Sequence, residues 1–109
     1  MSEAPSTDDA LDGVPVTFLA IGAVADAEAF AEYGSKATTI LQGAGGEVVG
    51  RHRAAVSLLG ERAPGVVFAM RFPNDASVRS ALESEAYRAI VPIRDRAFEC
   101  VDFWLGPAG

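Results

Sequence analysis

One cysteine, one histidine, one lysine and one tryptophan are all that a chain of 109 residues holds of those four types. Each scarcity excludes something. A lone Cys100 permits no internal disulfide and suits a reducing compartment. His52 and Cys100, far apart in the chain, do not make the clustered ligand set a metal needs, so neither metal nor other cofactor is expected. Basic residues are few, and no Lys/Arg stripe interleaves with aromatics, which argues against nucleic acid and anionic membrane surfaces as partners. The apolar runs are too short to cross a bilayer and no charged-then-apolar leader opens the sequence, so the expected location is the cytoplasm. Gly43, Gly45 and Gly46 follow a helical segment, whereas a phosphate-binding glycine turn precedes one. No nucleophile elbow is present either.

Half of the residues are hydrophobic, enough for one domain with its own core. The net charge of −6 is uneven: Glu3, Asp8, Asp9 and Asp12 carry four of the negative charges. Residues 1–13 are polar, acidic and aperiodic and read as a disordered tail, leaving 14–106 as the folded domain.

Three segments are apolar on both faces: Thr17 to Ile21, Val66 to Met70 and Cys100 to Leu105. A sheet with one wet face writes polar alternation into its strands, and these barely alternate. Helical segments suffice to cover only one face, so the other calls for a second copy of the same sheet.

The order of elements follows from the periodicities. Val14–Val24 reads as a strand. Asp26 is a helix N-cap, and Phe30, Tyr33, Gly34, Ala37, Ile40 and Leu41 form one apolar helix face that stops at the glycines. Gly34, in mid-helix, suggests close backbone approach. Glu47–Leu59 is a second strand bent near Arg53 to Ala55, and Val66–Phe72 a third. Pro73 to Asp75 opens another helix with Val78, Ala81 and Leu82 inward. Ser84 recaps a short turn through Tyr87 to Ile90, Pro92 breaks it, a further short helical piece runs from Ile93 to Ala97, and Glu99–Leu105 is the last strand. The result is α+β: a ferredoxin-like βαββαβ unit with a four-stranded antiparallel sheet.

Few residues can carry chemistry. His52 has the only side chain whose usual pKa lies near neutrality, making it the candidate general base; the plain alternative is a solvated strand position. Arg51 and Arg71, with Arg53, could hold a carboxylate or enolate, or could pair with Glu47, Glu61 or Asp102. Asp102, in a strand with little else polar, must be paired or shifted in pKa. Tyr33 and Tyr87 offer hydroxyls to a pocket between helix and sheet, or simply pack with a polar tip. Trp104 reads as a core, dimer-contact or ligand-contacting aromatic, and Cys100 as a small core residue.

Asp26 to Tyr33, Gly45-Gly46, Arg51, Glu61 to Pro64, Phe72-Pro73, Ser84 to Tyr87 and Pro92 to Arg94 occur in an order that resembles the DUF1330 family of the dimeric α+β barrel superfamily. The resemblance implies a homodimer in which two sheets face each other. It implies no activity for the family, although the wider superfamily includes cofactor-free monooxygenases, isomerases, cyclases, dehydratases and haem-degrading enzymes. The chain departs from the family pattern in three places. His52-Arg53 replace a glycine pair, Arg71 replaces an acid, and Ala81 and Leu82 replace bulky aromatics; the smaller pair would open a pocket. The expected function is a cofactor-independent enzyme that isomerises, cyclises or oxygenates an aromatic or polyketide-like metabolite. His52, Arg51, Arg71 and Asp102 would be catalytic, and Tyr33, Tyr87, Leu82 and Trp104 would contact the ligand. The alternative is a homodimer that binds a ligand without catalysis.

Overall fold

A computed structural model describes Leu11 and residues 13–61 and 65–108. Four strands, β1 (Val16–Val24), β2 (Glu47–Ala55), β3 (Gly65–Phe72) and β4 (Phe98–Pro107), form one sheet in the order β2-β3-β1-β4. All neighbours are antiparallel. Among the described residues, α1 (Ala27–Gly43) joins β1 to β2, and α2 (Asp75–Glu83) and α3 (Glu85–Ala97) join β3 to β4, so the chain has the α+β ferredoxin-like architecture expected from its sequence.

Local chemistry sets the boundaries. Asp26 caps α1 by accepting from the Ala29 amide at 3.0 Å, and Asn74 caps α2 through the Ser77 amide at 2.8 Å. After α1 the chain turns through Gly45 at φ 99° and passes Gly46, whose amide donates to the Leu41 carbonyl at 3.0 Å. A Cβ at Gly46 would lie 2.6 Å from Phe72 and 2.8 Å from Met70, so the turn closes onto the core only because that atom is missing.

Ser84 ends α2 and caps α3 by accepting from the Tyr87 amide at 3.2 Å. The expected break at Pro92 does not occur: α3 runs continuously to Ala97 with Pro92 inside it. Pro92 and Arg88 are both exposed, so water can reach the Arg88 carbonyl that loses its helical donor. The buried face of Tyr87, Ile90 and Ala97 holds the helix on α1.

One sheet face packs on the helices. Val16 and Phe18 of β1, Met70 and Phe72 of β3, with Leu41, Val78 and Ala81, form one core cluster. Ala29, Tyr33 and Ala37 of α1 with Tyr87, Ile90 and Ala97 of α3 form a second. Leu11 is 1% exposed and belongs to the first cluster. It therefore does not behave as tail, and the boundary expected at residue 13 falls too late. The rest of the expected tail, residues 1–10 and 12, lies outside the described residues.

The opposite face, here called outer, carries rows of directly opposed residues. One row is His52, Val67, Ile21 and Asp102; the next is Gly50, Ala69, Leu19 and Trp104. Trp104 is 56% exposed there. Cys100 is exposed on this face as well, opposite Ala23, and is not the core residue its sequence context suggested. Its β4 neighbours Val101 and Phe103 take the inward positions because side chains alternate along a strand.

Candidate functional site

A cavity of about 450 Å³ lies between α1 and the inner face of the sheet. Phe18, Phe30, Phe68, Phe98 and Phe103 give it aromatic walls, and Tyr33 contributes a hydroxyl-bearing ring. Gly34 borders the space, and a Cβ built there meets nothing within 4 Å. The expected close backbone approach at Gly34 is thus absent; the missing side chain leaves room for a ligand instead. The room does not arise where the sequence suggested it. Ala81 is buried in the first core cluster, and Leu82 packs against both clusters without reaching the cavity wall.

Arg51, His52 and Arg53 border the mouth. A bulge at Val49 fixes how their side chains are dealt out. Val48 opposes Met70 and Gly50 opposes Ala69, so Val49 is the extra residue. Arg51 then opposes Phe68 on the inner face, and His52 opposes Val67 on the outer face. The Arg51 guanidinium stands 5.4 Å from the centroid of the Phe68 ring, and its Nη2 donates to Thr38 Oγ1 at 3.4 Å. The ring below and the helix hydroxyl beside it aim this cation across the entrance. The His52 imidazole lies over Gly50, with Nε2 3.3 Å from where a glycine Cβ would be. Arg53 shares the parity of Arg51.

The remaining candidates separate in the same way. Arg71 is exposed on the outer face between its cross-strand neighbours Thr17 and Glu47, so it does not converge with Arg51. Asp102 is exposed at the far end of the His52 row. Three strand spacings separate those two residues, roughly 14 Å, so one subunit holds no His52–Asp102 dyad. Trp104 occupies the outer face and has no part in the cavity wall. Among the described residues no cluster of His, Cys, Asp and Glu could hold a metal ion.

Tyr33 lines the cavity and Tyr87 does not; sequence reasoning named both but missed what joins them. Their hydroxyl oxygens are 2.8 Å apart, and Arg94 Nη1 donates to the Tyr87 oxygen at 3.2 Å. The guanidinium also stacks 5.9 Å from the Tyr87 ring centroid and 6.0 Å from that of Phe103. Arg94 follows Tyr87 by seven residues, two helical turns, and that spacing was the signal available in the sequence. Burial pushes the Tyr33 hydroxyl far above the usual phenol range. For Arg94, burial opposes the charge, but the Tyr87 hydroxyl and Asp95 outweigh it and raise the guanidinium above its ordinary value. At neutral pH the site therefore holds a neutral phenol and a charged arginine, and Tyr33 cannot serve as a phenolate base.

Residues 17–105 match the family model for DUF1330, a domain of unknown function. The chain belongs to that family. Among solved structures it is similar to RPA0582, a protein of unknown function from Rhodopseudomonas palustris, with 23% identity and a TM-score of 0.78 over 89% of this chain and 84% of that one. SnoaB, a cofactor-independent oxygenase from Streptomyces nogalater, shares 14% identity with a TM-score of 0.62, over 88% of this chain and 94% of that one. A dimeric ferredoxin-like protein of unknown function from Bacteroides fragilis shares 11% with a TM-score of 0.53, over 86% and 96%. At these identities the likeness establishes the fold. No curated protein matches the sequence. No helix among the described residues is long and apolar enough to cross a membrane.

Proposed function

We propose that this DUF1330 chain is a homodimeric, cofactor-independent enzyme that binds an aromatic or polyketide-like metabolite as its enolate or phenolate. The observation that carries the reading is the cavity itself: aromatic walls, with Arg51 held over Phe68 at the entrance. Aromatic rings favour a flat apolar body, and a guanidinium matches a planar delocalised oxyanion. Stabilising that anion lowers the barrier to forming it. The resulting carbanion character is what isomerisation, cyclisation or attack on dioxygen needs. SnoaB, with the same fold, supports the reading by analogy only.

The wall residues that offer donors include Arg51, Tyr33 and Thr38. Among the described residues no carboxylate lines the cavity, and the His52 imidazole stands on the other face. We therefore assign the substrate's proton to solvent at the mouth and withdraw the general-base role from His52. The reading favours substrates acidic enough to ionise under the influence of Arg51 alone.

Dimerisation supplies the second half of the reading. Leu19, Ile21, Val67, Ala69 and Trp104 make the outer face apolar, and the described helices all pack on the other side. A second copy placed sheet to sheet would cover it.

2-Naphthol tests the site. Bound to the protein it should ionise at lower pH than in water, read from its absorbance, and Arg51→Ala should remove most of that shift. Oxygen uptake or product formation with an enolisable aromatic ketone, without added metal or flavin, would then establish catalysis. An unshifted ionisation would defeat the reading; a shifted one without turnover of any such ketone would favour passive binding.

A further inference from the structure

The hydrogen bonds behind the cavity wall run in one direction. A guanidinium can only donate, so the Tyr87 oxygen is an acceptor in its 3.2 Å bond from Arg94 Nη1. Tyr87 is 2% exposed and retains one proton of its own. Its other hydroxyl partner is Tyr33 Oη at 2.8 Å, so the buried proton is satisfied only by donation to Tyr33. Tyr33 already accepts there, and its own proton turns elsewhere. Tyr33 forms part of the cavity wall.

We propose that Arg94 and Tyr87 form a one-way relay that fixes the Tyr33 hydroxyl as a donor into the cavity, so that the site selects ligands presenting an acceptor oxygen, a carbonyl or enolate, to that wall. The proposal rests on the reading of this cavity as a small-molecule site. Tyr33 makes the contact; Tyr87 and Arg94 are positioning residues. Each bond in such a chain polarises the next, so the positive charge at Arg94 strengthens the donor at Tyr33 although it is two links away. The preference is for an acceptor: a ligand that places a donor or a methylene against Tyr33 leaves its proton unmatched in a confined space.

Two probes of nearly equal shape separate the possibilities, 9-fluorenone with a carbonyl and fluorene with a methylene. Wild-type protein should bind fluorenone roughly five- to tenfold more tightly. The infrared stretch of its bound carbonyl should move to lower wavenumber than in an apolar solvent. Tyr33→Phe should bind both probes alike and return the stretch to its apolar value. Tyr87→Phe and Arg94→Met should each reduce the preference and the displacement, and Arg94→Lys, which can still donate to Tyr87, should restore them in part. A purely structural role for Tyr87 or Arg94 would leave the carbonyl stretch unmoved. Equal affinity of wild type for the two probes, failure to bind either, or a preference that survives Tyr33→Phe overturns the proposal. Fluorenone has no acidic hydrogen, so its behaviour does not depend on the enolate reading. If Arg51→Ala leaves 2-naphthol ionisation unchanged while the fluorenone pattern holds, only that reading fails.

Discussion

Arg51 and His52 are neighbours in β2 and stand on opposite faces of the sheet, Arg51 over Phe68 and His52 opposite Val67. Side-chain alternation requires the separation; the bulge at Val49 decides which residue goes in. The two residues should therefore respond differently to truncation. Arg51→Ala should weaken binding of a phenolate ligand by roughly tenfold, the scale of one charge-assisted contact. His52→Ala should leave that affinity within a factor of two. Calorimetric titration of both variants with 2-naphthol at high pH decides the matter, and a tenfold loss in the histidine variant would reverse the assignment.

Gly34 offers a test of the cavity that does not touch its polar groups. Nothing lies within 4 Å of a Cβ built there, so Gly34→Ala should stabilise the protein by about 0.5–1 kcal/mol through the helix it sits in. Gly34→Leu extends the side chain into the space and should abolish ligand binding without unfolding the domain. Thermal melts at fixed protein concentration, with ligand titration of the leucine variant, separate the two effects.

Leu11 and the residues before it should behave differently. Leu11 packs with Val16, Phe72 and Val78 in a closed cluster, so Leu11→Ala should cost roughly 2–5 kcal/mol. Deleting residues 1–10, which carry no apolar periodicity, should change the melting temperature by no more than about two degrees. A loss comparable to that of Leu11→Ala would show that the segment ahead of Leu11 also holds the fold.

The sequence made the fold legible because its strongest signals are periodic. The helix face of Phe30, Tyr33, Ala37 and Leu41, the Asp26 cap and the doubly apolar strands all act through burial or local hydrogen bonds. The site was harder to read. Strand parity assigns faces only while the register is regular, and the bulge at Val49, with the left-handed Ala54 at φ 55°, interrupts it in the very segment that carries His52. Asp102 drew notice as a carboxylate among apolar neighbours, Cys100 as a small core residue and Trp104 as a core, dimer or ligand contact. They lie on the outer face, which looks buried in sequence because it is apolar. Arg94 was missed because its partner is a hydroxyl on the same helix, with no charge pattern to announce it.

Alkaline titration should reveal the buried phenol. Burial raises the Tyr33 pKa in the folded protein, whereas in the unfolded chain it titrates near its ordinary value of about 10. Above that pH the folded state binds more protons than the unfolded one, so stability contributed by the neutral phenol is complete below about pH 10 and declines as pH rises further. Urea unfolding should therefore give a flat stability between pH 7 and 9 and a falling one above about pH 10. Tyr33→Phe should flatten part of the fall. An unchanged slope in the phenylalanine variant would show that Tyr33 ionises freely in the folded protein.

Cys100 reports on the outer face. It is exposed in the single chain, opposite Ala23, and in a sheet-to-sheet dimer the same thiol would be covered. At micromolar concentration wild-type protein should sediment as a dimer, and Cys100 should react with a maleimide far more slowly than a free thiol. Ile21→Asp puts a carboxylate in the middle of the row that runs from His52 to Asp102, where burial against a second apolar sheet would be costly. That variant should sediment as a monomer and its Cys100 should label rapidly. Because Ile21 faces away from both core clusters, the monomer should keep its helical circular dichroism. Rapid labelling of the wild type, or a dimer that survives Ile21→Asp with Cys100 still protected, would mean that something other than a second outer face covers this side of the sheet.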